Sequence, residues 1–272
     1  MNGRVAASTQ NQALAAILYL YETLKRPLAE IDALRAKRPA KIRTAPTRAQ
    51  VRDLRRAIID TEHTPARLLV DLVYGCGLRV SEPLGLRIRD VCVENKYLLI
   101  RGAKGGKDRV VPIPETLINR LSGAVSRAKD SWKTHVALHP GIGVTLPSAI
   151  ERKYPNASLS SGWFWLFPAA SICEDPRSGK MVKYHLLPDA LQRAVYRAAR
   201  RIGAEHVITP HSLRHAYATH SREPIERLRI LMGHYSINTT AGYRHPDADQ
   251  TSNPLDDLLG PDTCSSSCAT PS

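Results

Sequence analysis

The sequence predicts a mainly α-helical fold carrying one small antiparallel β-sheet. Three observations lead there. Apolar residues recur at helical spacing behind recognisable caps in several separate segments. Only YLLIR (97–101) and RVVPI (109–113) read as strands, and the Gly-rich GAKGGKD between them reads as a hairpin loop. No run of 18 apolar residues and no signal-like segment is present, so the chain is expected away from membranes, in the cytoplasm. With 272 residues and 43% hydrophobic content there is material for one sizeable core and a small appendage.

Taken in order, residues 10–36 open with Leu14, Ile17, Leu18 and Tyr21 on a helical period that Pro27 breaks. From Arg35 to Arg43 the chain holds Lys37, Arg38 and Lys41 as well and no acid, the composition of an extended basic linker that can lie along a phosphate backbone. Thr47 caps the helix TRAQVRDLRRAII. Pro65 opens another whose Leu68, Leu69, Leu72 and Val73 form a buried stripe. In GCGLRVSEPLGL, Gly75 and Gly77 are expected as turn residues and Ser81 as a cap, which holds Arg79 between two helix ends. Leu117 to Lys129 is expected to be helical. Residues 131–165 then become irregular and end in the cluster Trp163, Phe164, Trp165 and Phe167, whose ordinary use is packing onto a core. Leu187, Leu191, Val195, Ala198 and Ile202 mark an amphipathic helix with Arg193, Arg197, Arg200 and Arg201 opposite.

A net charge of +14 and a pI near 9.8 call for a polyanionic partner. The charge is uneven. Residues 1–60 hold 12 Lys and Arg against 5 Asp and Glu, whereas residues 246–272 hold five Asp and no basic residue. Cys76, Cys92, Cys173, Cys264 and Cys268 are odd in number and lack metal-binding spacing, as expected for a reducing compartment.

Residues 209–245 concentrate five histidines and a well-placed tyrosine. Thr209–Pro210 is an N-cap followed by proline at the first helical position, so a helix should run from there to about Ser221. His211 falls in its first turn with Arg214 three residues on, an imidazole and a guanidinium near a helix N-terminus, which suits a phosphate. Pro224 opens a second helix, Gly233 ends it, His234 follows the stop, and Ser236 is placed to cap a third helix carrying Tyr243. A lone tyrosine or histidine is ordinarily a packing group. A metal site fits poorly, because His211, His215 and His220 do not share a helical face and no cysteine or carboxylate pair completes a ligand set.

The ordered set HSLRHAYATH, LMGH and TTAGYRH, with GLRVSE upstream, resembles the signature of the tyrosine recombinases, the phage integrase family. The resemblance implies that family's DNA breaking-rejoining catalytic-domain fold over residues 47–260. It implies an N-terminally truncated chain, with residues 1–34 a remnant of a core-binding, SAM-like helical domain, 35–46 the basic linker and 261–272 a disordered tail. Within it Tyr243 is the nucleophile, nine residues after His234. Arg79 and Arg214 clamp the phosphate, and Glu82 supports Arg79. His211 serves as base or donor and His234 as donor to a non-bridging oxygen. Lys104 in the hairpin loop protonates the leaving oxygen, with Lys107 the runner-up and a DNA contact. The texts LPSAIERKYPNA, GWFWLFPAA and DPRSG resemble the insertion of integron integrases, which there grips extrahelical bases and would make Trp163 a DNA contact, alongside Lys37, Arg38, Lys41 and Arg43. No cofactor or metal is implied. The implied partner is double-stranded or folded single-stranded DNA in the nucleoid, with a homotetramer on it. The segment SREPIERLRILM (221–232) is shorter than in that family, which predicts loss of the usual turn between two helices. Such losses would leave a catalytically impaired DNA-binding remnant as the alternative function.

Overall fold

The computed structural model starts two of its described α-helices from side-chain caps, Thr47 and Thr209, and several others at or directly after a proline. It describes residues 5–26, 45–102, 108–233 and 253–259. Contacts divide the chain into two units, residues 1–44 and 45–272. The first contains α1 (Ala7–Thr23), which ends before Pro27. The second contains every other described element.

In that second unit α2 (Arg48–Ala57) starts from a capping box: Thr47 Oγ1 accepts the Gln50 N–H at 3.2 Å and Gln50 Oε1 accepts the Thr47 N–H at 2.9 Å. It buries Val51 and Leu54. α3 (Ala66–Gly75) is buried at every position from Leu68 onward, as expected of a helix that is apolar nearly all round. Its exception, Asp71, is 1% exposed and accepts from Arg55 Nε of α2 at 2.7 Å and from Arg120. Two guanidiniums from different helices therefore neutralise one buried carboxylate and tie those helices to α3.

The turn after α3 departs from expectation in two places. Gly75 is the last residue of α3 rather than a turn residue, and its missing side chain makes room for Leu255, whose Cδ2 lies 2.7 Å from where a Cβ would be. Gly77 does make the turn, at φ +61. Ser81 caps nothing. It is the first residue of α4 (Ser81–Leu84), and the carboxylate of Glu82 takes the Arg79 N–H instead, at 2.7 Å.

A three-stranded antiparallel sheet follows, β1 (Val91–Cys92), β2 (Tyr97–Ile100) and β3 (Arg109–Pro112), with Leu98 opposite Val111 and Ile100 opposite Arg109. The loop at 103–107, with Lys104 and Lys107, lies outside the described residues. α5 (Glu115–Leu138) runs nine residues past the expected end at Lys129, because no breaker intervenes before His139–Pro140 and Trp132 and His135 continue the packed face. The irregular segment thus starts at His139, not near Ser131. It holds α6 (Ser148–Lys153) and two 3₁₀ turns, then buries Phe164, Trp165, Leu166 and Phe167 in the main core.

Arg87 staples this segment down. Its guanidinium donates to Trp163 O at 2.6 Å and Thr145 O at 2.7 Å and lies 3.7 Å from the centre of the Trp165 ring. Burial lowers its pKa to about 10, so the charge is kept at neutral pH. A second hairpin, β4 (Pro168–Glu174) and β5 (Met181–His185), turns through DPRSG. α7 (Pro188–Arg201) buries Leu191, Val195, Ala198 and Ala199, while Leu187 precedes the helix and is exposed.

α8 (Pro210–His220), α9 (Ile225–Met232) and α10 (Pro254–Leu259) complete the described elements. The turn expected to be lost between α8 and α9 is present as Ser221–Pro224, where Ser221 Oγ accepts the Glu223 N–H at 3.2 Å. α9 has eight residues. The architecture is mainly α with small antiparallel sheets. Among the described residues no helix is long and apolar enough to cross a membrane.

Candidate functional site

Three arginines from three elements meet at the last turn of α9. A helix C-terminus leaves its final carbonyls without intrahelical donors. Here Leu231 O accepts from Arg109 Nε at 2.7 Å, Met232 O accepts from Arg214 Nη2, and Gly233 O accepts from Arg79 Nη2 at 2.8 Å. Positive groups are also what the negative end of a helix dipole favours. Gly233 closes the helix in the left-handed conformation at φ 61.

One carboxylate sits under all three. Glu82, 8% exposed, receives Arg109 at 2.6 and 3.0 Å and Arg79 Nη1 at 2.8 Å, with Arg214 Nη1 at 3.9 Å. Burial acts to raise its pKa, but the hydrogen bonds and charge of Arg109, then the bonds from Arg79, carry it below the ordinary carboxylate value. Among the described residues the cluster therefore holds three guanidiniums around one carboxylate, an excess of positive charge suited to an anion.

Arg79 reaches this point from the turn between α3 and α4, and its side chain is 27% exposed. Arg214 comes from the middle of α8 and is 3% exposed; besides α9 it donates to Gly77 O. That carbonyl is available because Gly77 can hold a positive φ beneath the Tyr217 ring. The cap expected at Thr209 is present, its Oγ1 accepting the Ser212 N–H at 3.1 Å. His211 is exposed at the start of α8, with its ring edge-on to His215 at 4.2 Å between centroids. Val80, next to Arg79, lines a groove of about 330 Å³ together with His211. Arg79 itself lines a second cleft, of about 320 Å³, with Glu82, Asp90, Arg101 and Gly102 at the foot of the β2–β3 loop.

Of the residues singled out from sequence, the described structure thus brings Arg79, Arg214 and Glu82 together, while His211, one turn before Arg214 in α8, shares a groove with Val80. Trp163 is half-buried elsewhere, its ring under Arg89 at 4.1 Å and Arg87 at 5.1 Å. Lys37, Arg38, Lys41, Arg43, Lys104, Lys107, His234 and Tyr243 lie outside the described residues. Arg109 was missed: at the start of a strand, nothing in the local pattern separates it from a solvated arginine.

Fold and site together define a mainly helical domain that gathers one arginine from a turn, one from a helix and one from a hairpin strand at one point, an arrangement suited to an anion such as phosphate. Residues 47–250 match the phage integrase family. An integrase/recombinase of Escherichia coli is 37% identical over 248 residues, 89% of this chain and 72% of the relative. Tyrosine recombinase XerA of Pyrococcus furiosus is 30% identical over 240 residues, 84% of this chain and 70% of the relative. The chain belongs to the phage integrase family of tyrosine recombinases. Its fold is shared with XerH site-specific recombinase, solved bound to palindromic difH substrate (TM-score 0.58, 21% identity, covering 89% of this chain and 64% of that one). It is shared also with the Tn1549 transposon integrase, solved in complex with transposon right end DNA (TM-score 0.58, 16% identity, covering 94% and 79%).

Proposed function

We propose that this protein is a site-specific DNA recombinase that cuts and rejoins strands through Tyr243. The observation that carries the reading is the convergence of Arg79 and Arg214, far apart in sequence, on the end of α9 directly before His234. In the proposed step the Tyr243 oxygen attacks the phosphorus of a phosphodiester, the bond to the 5′ oxygen breaks, and the products are a 3′-phosphotyrosine and a 5′-OH. The guanidiniums of Arg79 and Arg214 neutralise the non-bridging oxygens as negative charge builds on the phosphorane. His211 takes up or shares the phenolic proton, His234 donates to a non-bridging oxygen, and Lys104 delivers a proton to the leaving 5′ oxygen. Attack by the 5′-OH of another strand reverses the chemistry. The phosphodiester energy is kept in the tyrosyl ester, so no nucleotide is consumed.

Within the family we place the chain nearest the integron integrases. Support comes from the segment 146–179, whose aromatic run is fastened by Arg87 and followed by the DPRSG turn. On this reading Trp163 and the basic residues Lys37, Arg38, Lys41, Arg43 and Lys107 contact duplex or folded single-stranded DNA. Four copies assemble on it in the cytoplasm, at the nucleoid. Residues 1–34 precede a linker at 35–46, and 47–260 form the catalytic domain.

The test is covalent capture. Incubation with a pool of nicked duplexes and hairpins of randomised centre, in the presence of chelator, is expected to give a denaturation-resistant protein–DNA adduct. Tyr243→Phe is expected to give none. Adduct that persists in Tyr243→Phe, or that appears only with a divalent metal, would overturn the assignment.

A further inference from the structure

We propose that Arg109 is a positioning residue that locks three parts of the site in one register: the base of the β2–β3 hairpin, the Arg79 turn and the end of α9. The inference rests on the recombinase reading for its consequence, but its geometry stands independently. Every nitrogen of the guanidinium is engaged. Nε donates to Leu231 O at 2.7 Å, Nη1 to Glu82 Oε1 at 3.0 Å and Nη2 to Glu82 Oε2 at 2.6 Å. The side chain is 7% exposed, so it acts through its neighbours rather than by touching DNA.

Each end of this arrangement bears on a residue proposed for chemistry. Arg109 opens β3, two residues after the loop that carries Lys104 and Lys107, and pairs with Ile100 across the hairpin. Glu82 is the carboxylate that also orients Arg79 through both its backbone N–H and Nη1. Leu231 lies in the last turn of α9, three residues before His234. The guanidinium also lies against Gly233: a Cβ there would meet Nη1 at 3.2 Å and Cζ at 3.4 Å. Gly233, from which the chain continues to His234, thus packs against Arg109, while Arg79 holds its carbonyl and Arg214 holds that of Met232.

The planar fork explains the residue type. Two parallel bonds to a carboxylate and a third to a carbonyl in the same plane fit a guanidinium and cannot be reproduced by an ammonium. Without Arg109, Glu82 loses two bonds and Leu231 O its donor. Arg79 and Arg214 are then drawn toward Glu82 and away from α9. Displacement of about 1 Å at a reacting centre is enough to cost about 100-fold in rate.

Two measurements on the full chain test this, using Arg109→Lys and Arg109→Met. Hydrogen exchange needs no substrate: peptides covering 225–234 are expected to exchange at least about 10-fold faster in both variants, while those of α3 stay within about two-fold of wild type. On the DNA recovered by covalent capture, the adduct-forming rate is expected to fall about 100-fold with the dissociation constant changed less than about three-fold, and Lys is expected not to rescue. Unchanged exchange at 225–234, a loosening spread through α3, a lysine variant at full rate, or binding lost in step with rate would each overturn the proposal. If the wild type forms no adduct on any DNA, the recombinase reading fails, and exchange alone then decides the lock.

Discussion

A methyl group added at Gly77 would meet the Tyr217 ring at 2.4 Å, on a residue already at φ +61, so steric clash and backbone strain act together. Gly77→Ala is expected to cost about 2–4 kcal/mol, combining the left-handed penalty with overpacking, as read from urea denaturation. The same change moves the carbonyl that Arg214 holds, so activity should fall further than stability alone explains. Although Gly75, read on the same ground, ends the helix instead, Gly77 was legible in the sequence because a glycine just after an apolar helical run marks a turn. Arg109 was not. Its partners Glu82 and Leu231 stand 27 and 122 residues away, and side-chain bonds over such separations leave no mark on local spacing.

The join between α8 and α2 is expected to weaken in acid. Arg48 Nη2 donates to His220 O at 2.9 Å, and the Tyr74 hydroxyl lies 3.0 Å from His220 Nδ1. Burial, and then the Arg48 charge, lower the His220 pKa from 6.5 to about 4. Between those values the unfolded chain binds a proton that the folded chain refuses, so stability should rise as pH goes from about 4 to 6.5 and level off above. Burial lowers His135 and His185 in the same direction, so they share the slope. His220→Gln should therefore flatten the dependence of the urea midpoint in this window without abolishing it. An unchanged slope would place the titration elsewhere. At lower pH the Glu82 contribution disappears separately, as its depressed pKa is crossed. Elements were legible where their signals were local: Thr47 as a cap, Thr209 with Pro210, and Gly233 as a stop. They were misread where length depended on packing, as in α5 beyond Lys129. The β4–β5 hairpin went unseen because PAASICE has neither the alternation nor the β-branched content of a typical strand.

Over the whole molecule the charge is arranged lengthwise. Residues 1–60 carry 12 basic side chains against 5 acidic ones, and the last 27 residues carry five Asp with no basic partner. If the early basic residues lie on phosphates, binding them releases condensed counterions, and the logarithm of affinity should fall linearly with the logarithm of salt concentration. The slope is roughly −0.9 for each phosphate neutralised on duplex DNA. Neutralising Lys37, Arg38, Lys41 and Arg43 should therefore make the slope shallower by up to about 0.9 for each phosphate that no longer has a cationic partner, while any preference among DNA sequences persists, because phosphate contacts set position rather than sequence. Fluorescence anisotropy on a labelled duplex, titrated at several salt concentrations, measures both quantities. A slope unchanged by the four substitutions would mean that this segment stands clear of the phosphates. The electrostatic grip would then have to come from residues 45–272, where Arg193, Arg197, Arg200 and Arg201 give α7 its own basic face.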